Sequence, residues 1–267
     1  MNAIKMQKAY FIDVQGTLIC DDNRLPIRGS KEFIESLNIQ NIPYMVITNN
    51  TKHSSDEFLN YLHSIGLNIK NEHYLDPLML LESKLDKSEG LAAYGTKEFL
   101  DVLIGMGYFL DYEHPKTVLV SIKNDYNSEE YAQIIDFLLS GAKLVGMHET
   151  TIYAKNKKRY PGVGAILKML SFATSTSYEV VGKPSDNFYK EALHKIQEQD
   201  AKIAFEDITI ISDDVKGDLT GAAIFGMKTV FVLSGKYKKA SEIIPFLKDE
   251  EKPDEVFSDM QEVMEKL

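Results

Sequence analysis

Short apolar runs alternate along the chain with segments whose apolar residues recur at helical spacing. The runs at 9–14 and 44–47 are short and almost continuously apolar, which is typical of buried strands in a parallel sheet. Between them, a helix is predicted to begin with Ser30 as its cap and to bury a face that includes Phe33 and Leu37. This order of elements predicts an α/β protein built on a parallel sheet.

The same alternation continues to the end of the sequence. Ser54 and Glu57 have the spacing of a capping box, and Gly66 is a plausible end for the helix that follows. The other predicted elements are helices at 77–84, 128–139, 164–172 and 187–197, strands at 118–122, 142–147, 179–181, 208–211 and 229–233, and two closing helices.

The chain has 267 residues, which is enough for two domains. The net charge of −10 argues against nucleic acid or an anionic membrane surface as a partner. Cys20 is the single cysteine, which excludes an intrachain disulfide framework and fits a reducing compartment. The sequence has no apolar run of the ~20 residues that span a bilayer, and we predict a cytoplasmic protein.

The first chemically informative string is FIDVQGTL at 11–18. An apolar strand delivers Asp13 at its carboxyl end, and Gly16 permits a sharp turn. Ligands of parallel α/β sheets bind outside the carboxyl ends of the strands. A carboxylate in that place can attack phosphorus and form an aspartyl-phosphate, although an aspartate that merely caps the turn fits the string as well.

Two further strings also follow predicted strands. VITNNT at 46–51 offers the Thr48 hydroxyl and the Asn49 amide to phosphoryl oxygens, or simply makes a turn. VVGKPS at 181–186 places Lys183 where it can offset charge that develops in a transition state, although a solvated lysine is the simpler reading.

The fourth string, ITIISDDVKGDLTGA at 208–222, ends a strand in an acidic loop with Asp213, Asp214 and Asp218. Carboxylates this close repel one another unless they are solvated or neutralised by a cation, and hard oxygen ligands suit Mg²⁺. A helix start enriched in aspartate is the alternative. Together, however, the four strings supply a nucleophile, a hydroxyl, a lysine and a metal loop, which is a complete set for phosphoryl transfer.

On these motifs the chain resembles haloacid dehalogenase superfamily phosphatases, in the branch of NagD and p-nitrophenylphosphatases. The strings DVQGT, TNNT, GKP and SDDVKGDLTGA stand where that branch has its four motifs, and RYPGVGAILKML also looks like its cap. The resemblance implies a Rossmann-like core at 1–85 and 179–267 and an inserted α/β cap of the C2 type at 86–178. It also implies a small phosphorylated metabolite as substrate and permits a homodimer.

The resemblance also assigns roles to residues. Asp13 is implied to be the nucleophile and a Mg²⁺ ligand, with the Gln15 backbone carbonyl and Asp213 as further metal ligands. Thr48 and Lys183 are implied to bind the phosphoryl group. The remaining implied roles are phosphate contact by Asn49 and support of the metal loop by Asp214 and Asp218.

Gln15 departs from the family pattern, which has aspartate at this position as general acid and base. An amide does not exchange protons near neutral pH, and losing such help typically lowers a rate by ~10²–10⁴-fold. Three readings remain open: a slow phosphatase that favours acidic leaving groups, a binding or regulatory module without turnover, and an enzyme in which another group supplies the acid. His148, in a part of the cap that departs from the branch, is a candidate for that group.

Overall fold

A computed structural model of the chain describes residues 9–155 and 158–266, with Ala154 and Lys155 described by their backbone only. The strands in these residues are β1 (Ala9–Ile12), β2 (Tyr44–Ile47), β3 (Tyr74–Leu75), β4 (Leu91–Tyr94), β5 (Thr117–Val120), β6 (Lys143–Gly146), β7 (Ile152–Lys155), β8 (Lys158–Pro161), β9 (Tyr178–Val180), β10 (Ile208–Ser212), β11 (Lys228–Val232) and β12 (Glu255–Phe257). The α-helices are α1 (Ser30–Gln40), α2 (Ser55–Ser64), α3 (Pro77–Lys84), α4 (Lys97–Gly105), α5 (Ser128–Leu139), α6 (Val163–Thr174), α7 (Asp186–Gln197), α8 (Thr220–Ile224) and α9 (Met260–Lys266).

The described residues divide into two compact units. The first contains the described parts of Met1–Thr48, Phe58–Leu75 and Tyr189–Leu267, and the second contains Asn49–Glu57 and Asp76–Phe188. The predicted boundaries between core and cap, at 85–86 and 178–179, do not coincide with these limits, and the cap assignment stays a prediction.

The first unit is built on a six-stranded parallel sheet in the order β12-β11-β10-β1-β2-β3. β1 lies between β10 and β2, and every residue of β1, β2 and β10 is buried. Strands that are apolar on both faces need cover on both faces, which explains the continuous apolar runs in the sequence. The structure therefore confirms the predicted parallel α/β class, and the carboxyl ends of β10, β1 and β2 are neighbours at one edge.

The second unit has its own parallel sheet, in the order β4-β5-β6-β9. Apolar residues of α5 and α6, including Ile134 and Leu167, pack in one buried cluster with residues of β4, β5 and β6. The sequence places a strand at 179–181 in the core, but β9 pairs with β6 and belongs to this second sheet. A three-residue strand carries too few side chains to indicate which sheet it joins.

Local signals explain several helix limits and miss others. Ser54 and Glu57 form the predicted capping box, since Ser54 N donates to Glu57 Oε2 at 3.1 Å and Glu57 N donates to Ser54 Oγ at 3.4 Å. Ser30 is not a cap but the buried first residue of α1, after Gly29 with a φ of 84°. The predicted pair of closing helices is wrong: short 3₁₀ turns and β12 precede α9.

No helix in the described residues is long and apolar enough to cross a membrane.

Candidate active site

Asp13 follows β1 directly and is 6% exposed. Its backbone N–H donates to the Ile211 carbonyl at 2.9 Å, which extends the pairing with β10 beyond the last strand residue. The Thr17 hydroxyl donates to Asp13 Oδ2 at 3.3 Å. The carboxylate is therefore held at the edge of the sheet by its own loop.

Asp213 follows β10 and is also buried. Its backbone N–H donates to the Thr17 hydroxyl oxygen at 3.1 Å, while that hydroxyl donates to Asp13. A hydroxyl can accept and donate at once, and Thr17 thus joins the two acidic loops. The structure brings Asp13 and Asp213 together as predicted. Thr17 itself was missed, although it stands in the same DVQGT string.

The carboxylate of Asp213 occupies a narrow space. The backbone N–H of Lys236 donates to its Oδ2 at 2.7 Å. A Cβ atom on Gly16 would lie 2.3 Å from this oxygen, and one on Gly235 would lie 1.9 Å from it. Gly16 also has a φ of 77°, which favours glycine. Two glycines therefore provide the room in which the Asp213 carboxylate lies.

The other two acidic residues of this loop have mainly local partners. Asp218 is 4% exposed, and its Oδ2 accepts from the Ser212 hydroxyl at 2.7 Å. Asp214 Oδ1 accepts from Gly217 N at 3.0 Å, and its other oxygen pairs with the Lys236 ammonium group. The supporting roles of Asp214 and Asp218 at a metal stay predictions.

The electrostatics of the loop favour a bound cation. Burial raises the pKa of Asp213 well above its usual range; the Lys236 ammonium lowers it, and the Asp13 carboxylate raises it further. For Lys236, burial lowers the pKa, but the carboxylates of Asp214 and Asp213 raise it more, so the net shift is upward. A divalent cation would offset the excess negative charge at Asp13 and Asp213.

The available ligands fit Mg²⁺ better than a softer metal. No group of three or more His, Cys, Asp or Glu side chains in the described residues is arranged to hold a metal ion. The candidate set instead has two carboxylates, on Asp13 and Asp213, and the backbone carbonyl of Gln15. Mg²⁺ typically binds through one or two carboxylates and keeps several waters, so this small all-oxygen set is adequate.

Gln15 contacts the predicted phosphate-binding residue Thr48, which follows β2 and is fully buried. The Thr48 hydroxyl donates to Gln15 Oε1 at 2.8 Å. The backbone N–H of Thr48 donates to the Leu75 carbonyl at 3.1 Å, continuing the pairing with β3. The structure therefore places Thr48 beside the residue at which this chain departs from the family pattern.

Asn49 and Lys183 belong to the second unit. Asn49 Oδ1 accepts from Lys183 N at 3.0 Å, and its Nδ2 donates to the Lys183 carbonyl at 3.4 Å. A Cβ on Gly182 would lie 2.6 Å from Asn49 Oδ1, so the preceding glycine permits this approach. Asn49 thus holds the backbone of a lysine that is only 2% exposed. Its predicted phosphate contact stays a prediction.

The candidate substitute acid, His148, is 4% exposed, and its Nδ1 accepts from Thr150 N at 3.4 Å. Its neighbour Met147 is fully buried. Glu149 accepts from the Tyr178 hydroxyl at 2.7 Å. These contacts lie inside the second unit, and the role of His148 as substitute acid stays a prediction.

Comparisons with known proteins agree with the geometry. A family model described as haloacid dehalogenase-like hydrolase matches residues 10–109, and a second, HAD-hydrolase-like, matches 180–263. Haloacid dehalogenase-like hydrolase domain-containing protein 2 of Mus musculus is 28% identical over 248 residues, covering 91% of this chain and 90% of that protein. The acid sugar phosphatase of Staphylococcus saprophyticus is 26% identical over 268 residues and 99% of each chain.

The fold comparison gives the same result. The p-nitrophenyl phosphatase from Archaeoglobus fulgidus superposes with a TM-score of 0.80 at 23% identity, covering 98% of this chain and 99% of that one. The parallel sheet and the sequence matches define the class of the protein as a haloacid dehalogenase-type hydrolase. The chain belongs to the haloacid dehalogenase-like hydrolases, and it is similar to NagD of Escherichia coli and to p-nitrophenylphosphatases.

Proposed function

We propose that this protein is a Mg²⁺-dependent phosphomonoesterase that acts on a small phosphorylated metabolite through an aspartyl-phosphate. The observation that carries the proposal is the link through Thr17, which accepts from Asp213 N at 3.1 Å and donates to Asp13 Oδ2 at 3.3 Å. This link holds Asp13 and Asp213 at the ends of neighbouring strands of one sheet, which supports their proposed roles as nucleophile and metal ligand. This is the arrangement that in-line attack on a metal-held phosphoryl group requires.

The proposed reaction has two steps. A carboxylate oxygen of Asp13 forms a bond to phosphorus, and the bond from phosphorus to the leaving oxygen breaks with its electron pair on that oxygen. Water then attacks the aspartyl-phosphate, which releases inorganic phosphate and restores the carboxylate. Asp13, Gln15 and Asp213 would hold the metal, and Mg²⁺, when bound, would neutralise charge that develops on the phosphoryl oxygens.

Two binding roles complete the proposal. Thr48 offers its hydroxyl to the phosphoryl group, and Lys183 offers its ammonium group to both nucleophile and phosphate. A cation in a buried setting stabilises developing negative charge more than it would in water. The position of Asn49 on the Lys183 backbone supports this assignment, because it restrains the lysine.

Gln15 sets the expected speed and the preferred substrates. Its amide cannot protonate the leaving oxygen, so the first step depends on how well that oxygen leaves as an anion. Turnover should be fastest with acetyl phosphate and p-nitrophenyl phosphate, which have acidic leaving groups, and slow with alkyl phosphates. The names of relatives do not identify the metabolite, since the Staphylococcus saprophyticus protein is named acid sugar phosphatase and the Escherichia coli protein is named ribonucleotide monophosphatase NagD.

The test is phosphate release by the purified protein with and without Mg²⁺, compared with Asp13→Asn and Asp13→Ala. We expect Mg²⁺-dependent release from both acidic substrates, and none from either variant. If the reaction of the parent with a phosphate-labelled substrate is stopped with acid, the protein should retain the label as the aspartyl-phosphate. Turnover that needs no metal and survives both substitutions would overturn the proposal.

One observation favours a second function, a binding or regulatory module without turnover. The side chain of Gln15 accepts a hydrogen bond from the Thr48 hydroxyl, and its amide does not exchange protons as the aspartate of the family would. This function predicts tight binding of phosphometabolites, measured by calorimetry, with no phosphate release across a broad panel. Robust turnover of any physiological phosphate ester would exclude it.

A further inference from the structure

The segment Ser234–Lys236, which lies outside the four sequence motifs, contacts both loops of the candidate metal site. It follows β11, the strand next to β10, and so emerges at the same edge of the sheet. The Ser234 hydroxyl donates to the Gly16 carbonyl at 2.6 Å. The Lys236 backbone N–H donates to Asp213 Oδ2 at 2.7 Å. Three consecutive residues therefore contact both the nucleophile loop and the metal loop.

The contact at Gly16 bears on the Gln15 carbonyl, the proposed backbone ligand. The N–H of Gly16 donates to the Ile19 carbonyl at 2.8 Å, and this N–H shares a planar peptide unit with the Gln15 carbonyl. Ser234 holds the carbonyl of the next peptide unit. Hydrogen bonds on both peptide units fix the direction in which the Gln15 carbonyl points.

The contact at Asp213 fixes the other ligand. The carboxylate accepts from Lys236 N on one oxygen and is enclosed by the backbone of Gly16 and Gly235. The Lys236 ammonium group pairs with Asp214, which anchors the segment a second time to the metal loop. The distance between the two proposed ligands thus depends on a segment that supplies no ligand itself.

We propose that Ser234–Lys236 is a positioning element that sets the spacing of the Gln15 carbonyl and the Asp213 carboxylate, with Ser234 as its key positioning residue. The inference rests on the proposed Mg²⁺ site. Mg²⁺ demands near-ideal octahedral geometry, so a small displacement of one ligand lowers affinity. Groups that orient metal ligands typically contribute 10–100-fold to metal affinity. Ser234 should therefore affect metal binding more than the chemical step.

The test is calorimetric titration of Mg²⁺ into the full-length protein without substrate, for the parent, for Asp213→Asn and for four further substitutions. Ser234→Ala and Ser234→Val remove the hydroxyl, and we expect the Kd for Mg²⁺ to rise about 10-fold. Ser234→Thr keeps the hydroxyl at the size of valine and should bind as the parent does. Ser64→Ala is the matched control, because Ser64 donates to the Tyr61 carbonyl at 2.7 Å at the end of α2.

Kinetics give a second readout. For Ser234→Ala the Mg²⁺ concentration for half-maximal activity should rise by a similar factor, whereas kcat at saturating Mg²⁺ should stay within about twofold of the parent. Because threonine and valine have nearly the same shape, the comparison of these two variants separates the hydroxyl from packing even where alanine unfolds the loop.

Asp213→Asn separates the failure of this inference from the failure of the proposed function. If the parent binds Mg²⁺, Asp213→Asn does not, and all Ser234 variants match the parent, the positioning role is overturned and the metal site stands. If the parent binds no Mg²⁺, both ideas fall. Weaker binding in alanine and valine but not in threonine supports the inference.

Discussion

The Thr48 hydroxyl donates to Gln15 Oε1 at 2.8 Å, which links the predicted phosphate-binding residue to the residue that replaces the family's general acid. A hydroxyl has one proton to donate. While Thr48 donates to Gln15, it has no proton left for a phosphoryl oxygen. Under the proposed function, Gln15 would therefore affect two steps at once: it could not protonate the leaving oxygen, and it would compete with phosphate for the Thr48 hydrogen bond.

Gln15→Asp is the first prediction. The new carboxyl group can protonate the leaving oxygen and activate water, so kcat for an alkyl phosphate should rise by about 10²-fold or more. With acetyl phosphate the rise in kcat/KM, which reports only the formation of the aspartyl-phosphate, should be smaller, because its leaving group needs little protonation. The measurement is initial phosphate release at saturating Mg²⁺ for both substrates.

Gln15→Asn serves as the matched control, since it shortens the side chain as aspartate does but keeps an amide. It should not increase the rate for either substrate. If Gln15→Asp and the parent have the same rate, another group already supplies the proton or the site is impaired elsewhere. A tenfold change is only ~1.4 kcal/mol of barrier, so trace phosphatase contamination must be excluded.

Gly235→Ala should disable the metal loop. The added Cβ would lie 1.9 Å from Asp213 Oδ2, and the carboxylate must move away. We expect the loss of Mg²⁺-dependent activity and of Mg²⁺ binding, with a melting temperature lowered by several degrees. Gly105→Ala is the control, because a Cβ at this last residue of α4 meets nothing within 4 Å. That variant should be as active as the parent and slightly more stable, by about 0.5–1 kcal/mol.

Asn49 should act through Lys183. Its side chain makes hydrogen bonds with both the N–H and the carbonyl of Lys183. Asn49→Ala should lower kcat/KM by about tenfold. It removes two hydrogen bonds of ~1 kcal/mol each, and only part of this free energy stabilises the transition state. In a Lys183→Met background the same substitution should have little further effect. Additive losses in this double-mutant cycle would show that Asn49 acts independently, for instance by contacting phosphate directly.

His73 should make stability depend on pH. Burial, with a smaller contribution from the Lys70 charge, lowers its pKa from 6.5 to about 4, and its Nδ1 is buried without a hydrogen-bond partner. In the unfolded chain His73 is therefore protonated below about pH 6.5, whereas in the folded protein it is protonated only below about pH 4. Stability is complete above pH 6.5 and falls as the pH drops toward 4, by roughly 2 kcal/mol after allowance for solvent screening.

The measurement is urea unfolding between pH 7.5 and 4.5. His73→Phe keeps an aromatic ring beside Tyr44, whose centroid lies 4.5 Å from that of His73, and removes the titrating group. Its free energy of unfolding should fall less over this range than that of the parent. His114→Phe, at an exposed position, should follow the parent curve. Parallel curves for His73→Phe and the parent would contradict the prediction.

The sequence predicted the central sheet well for a physical reason. β1, β2 and β10 are buried on both faces, so nearly all of their residues are apolar. The polar motifs follow directly after their last residues. Helix α5 was placed correctly because Asn127 and Glu130 form a capping box at its start and Gly141, with a φ of 98°, follows its end.

Features set by contacts distant in sequence were missed. β9 is too short to reveal its partner, and β12 and the 3₁₀ turns near the C-terminus lack a clear period. The contact from Ser234 to Gly16 joins residues 218 positions apart, and neither residue type suggests it. One available signal was overlooked: the string LSGK follows a buried strand, as the other three strand-end strings of the first unit do.

The tight enclosure of Asp213 by Gly16 and Gly235 has a consequence for redesign of this centre. A Cβ atom on either glycine would collide with the Asp213 carboxylate, so a bulkier ligand such as an imidazole would press against the backbone of both loops. Conversion to a zinc or iron hydrolase would therefore require rebuilding both loops and not merely exchanging the ligand. The shape of the backbone restricts the choice of metal at this point as firmly as the chemistry of the oxygen atoms does.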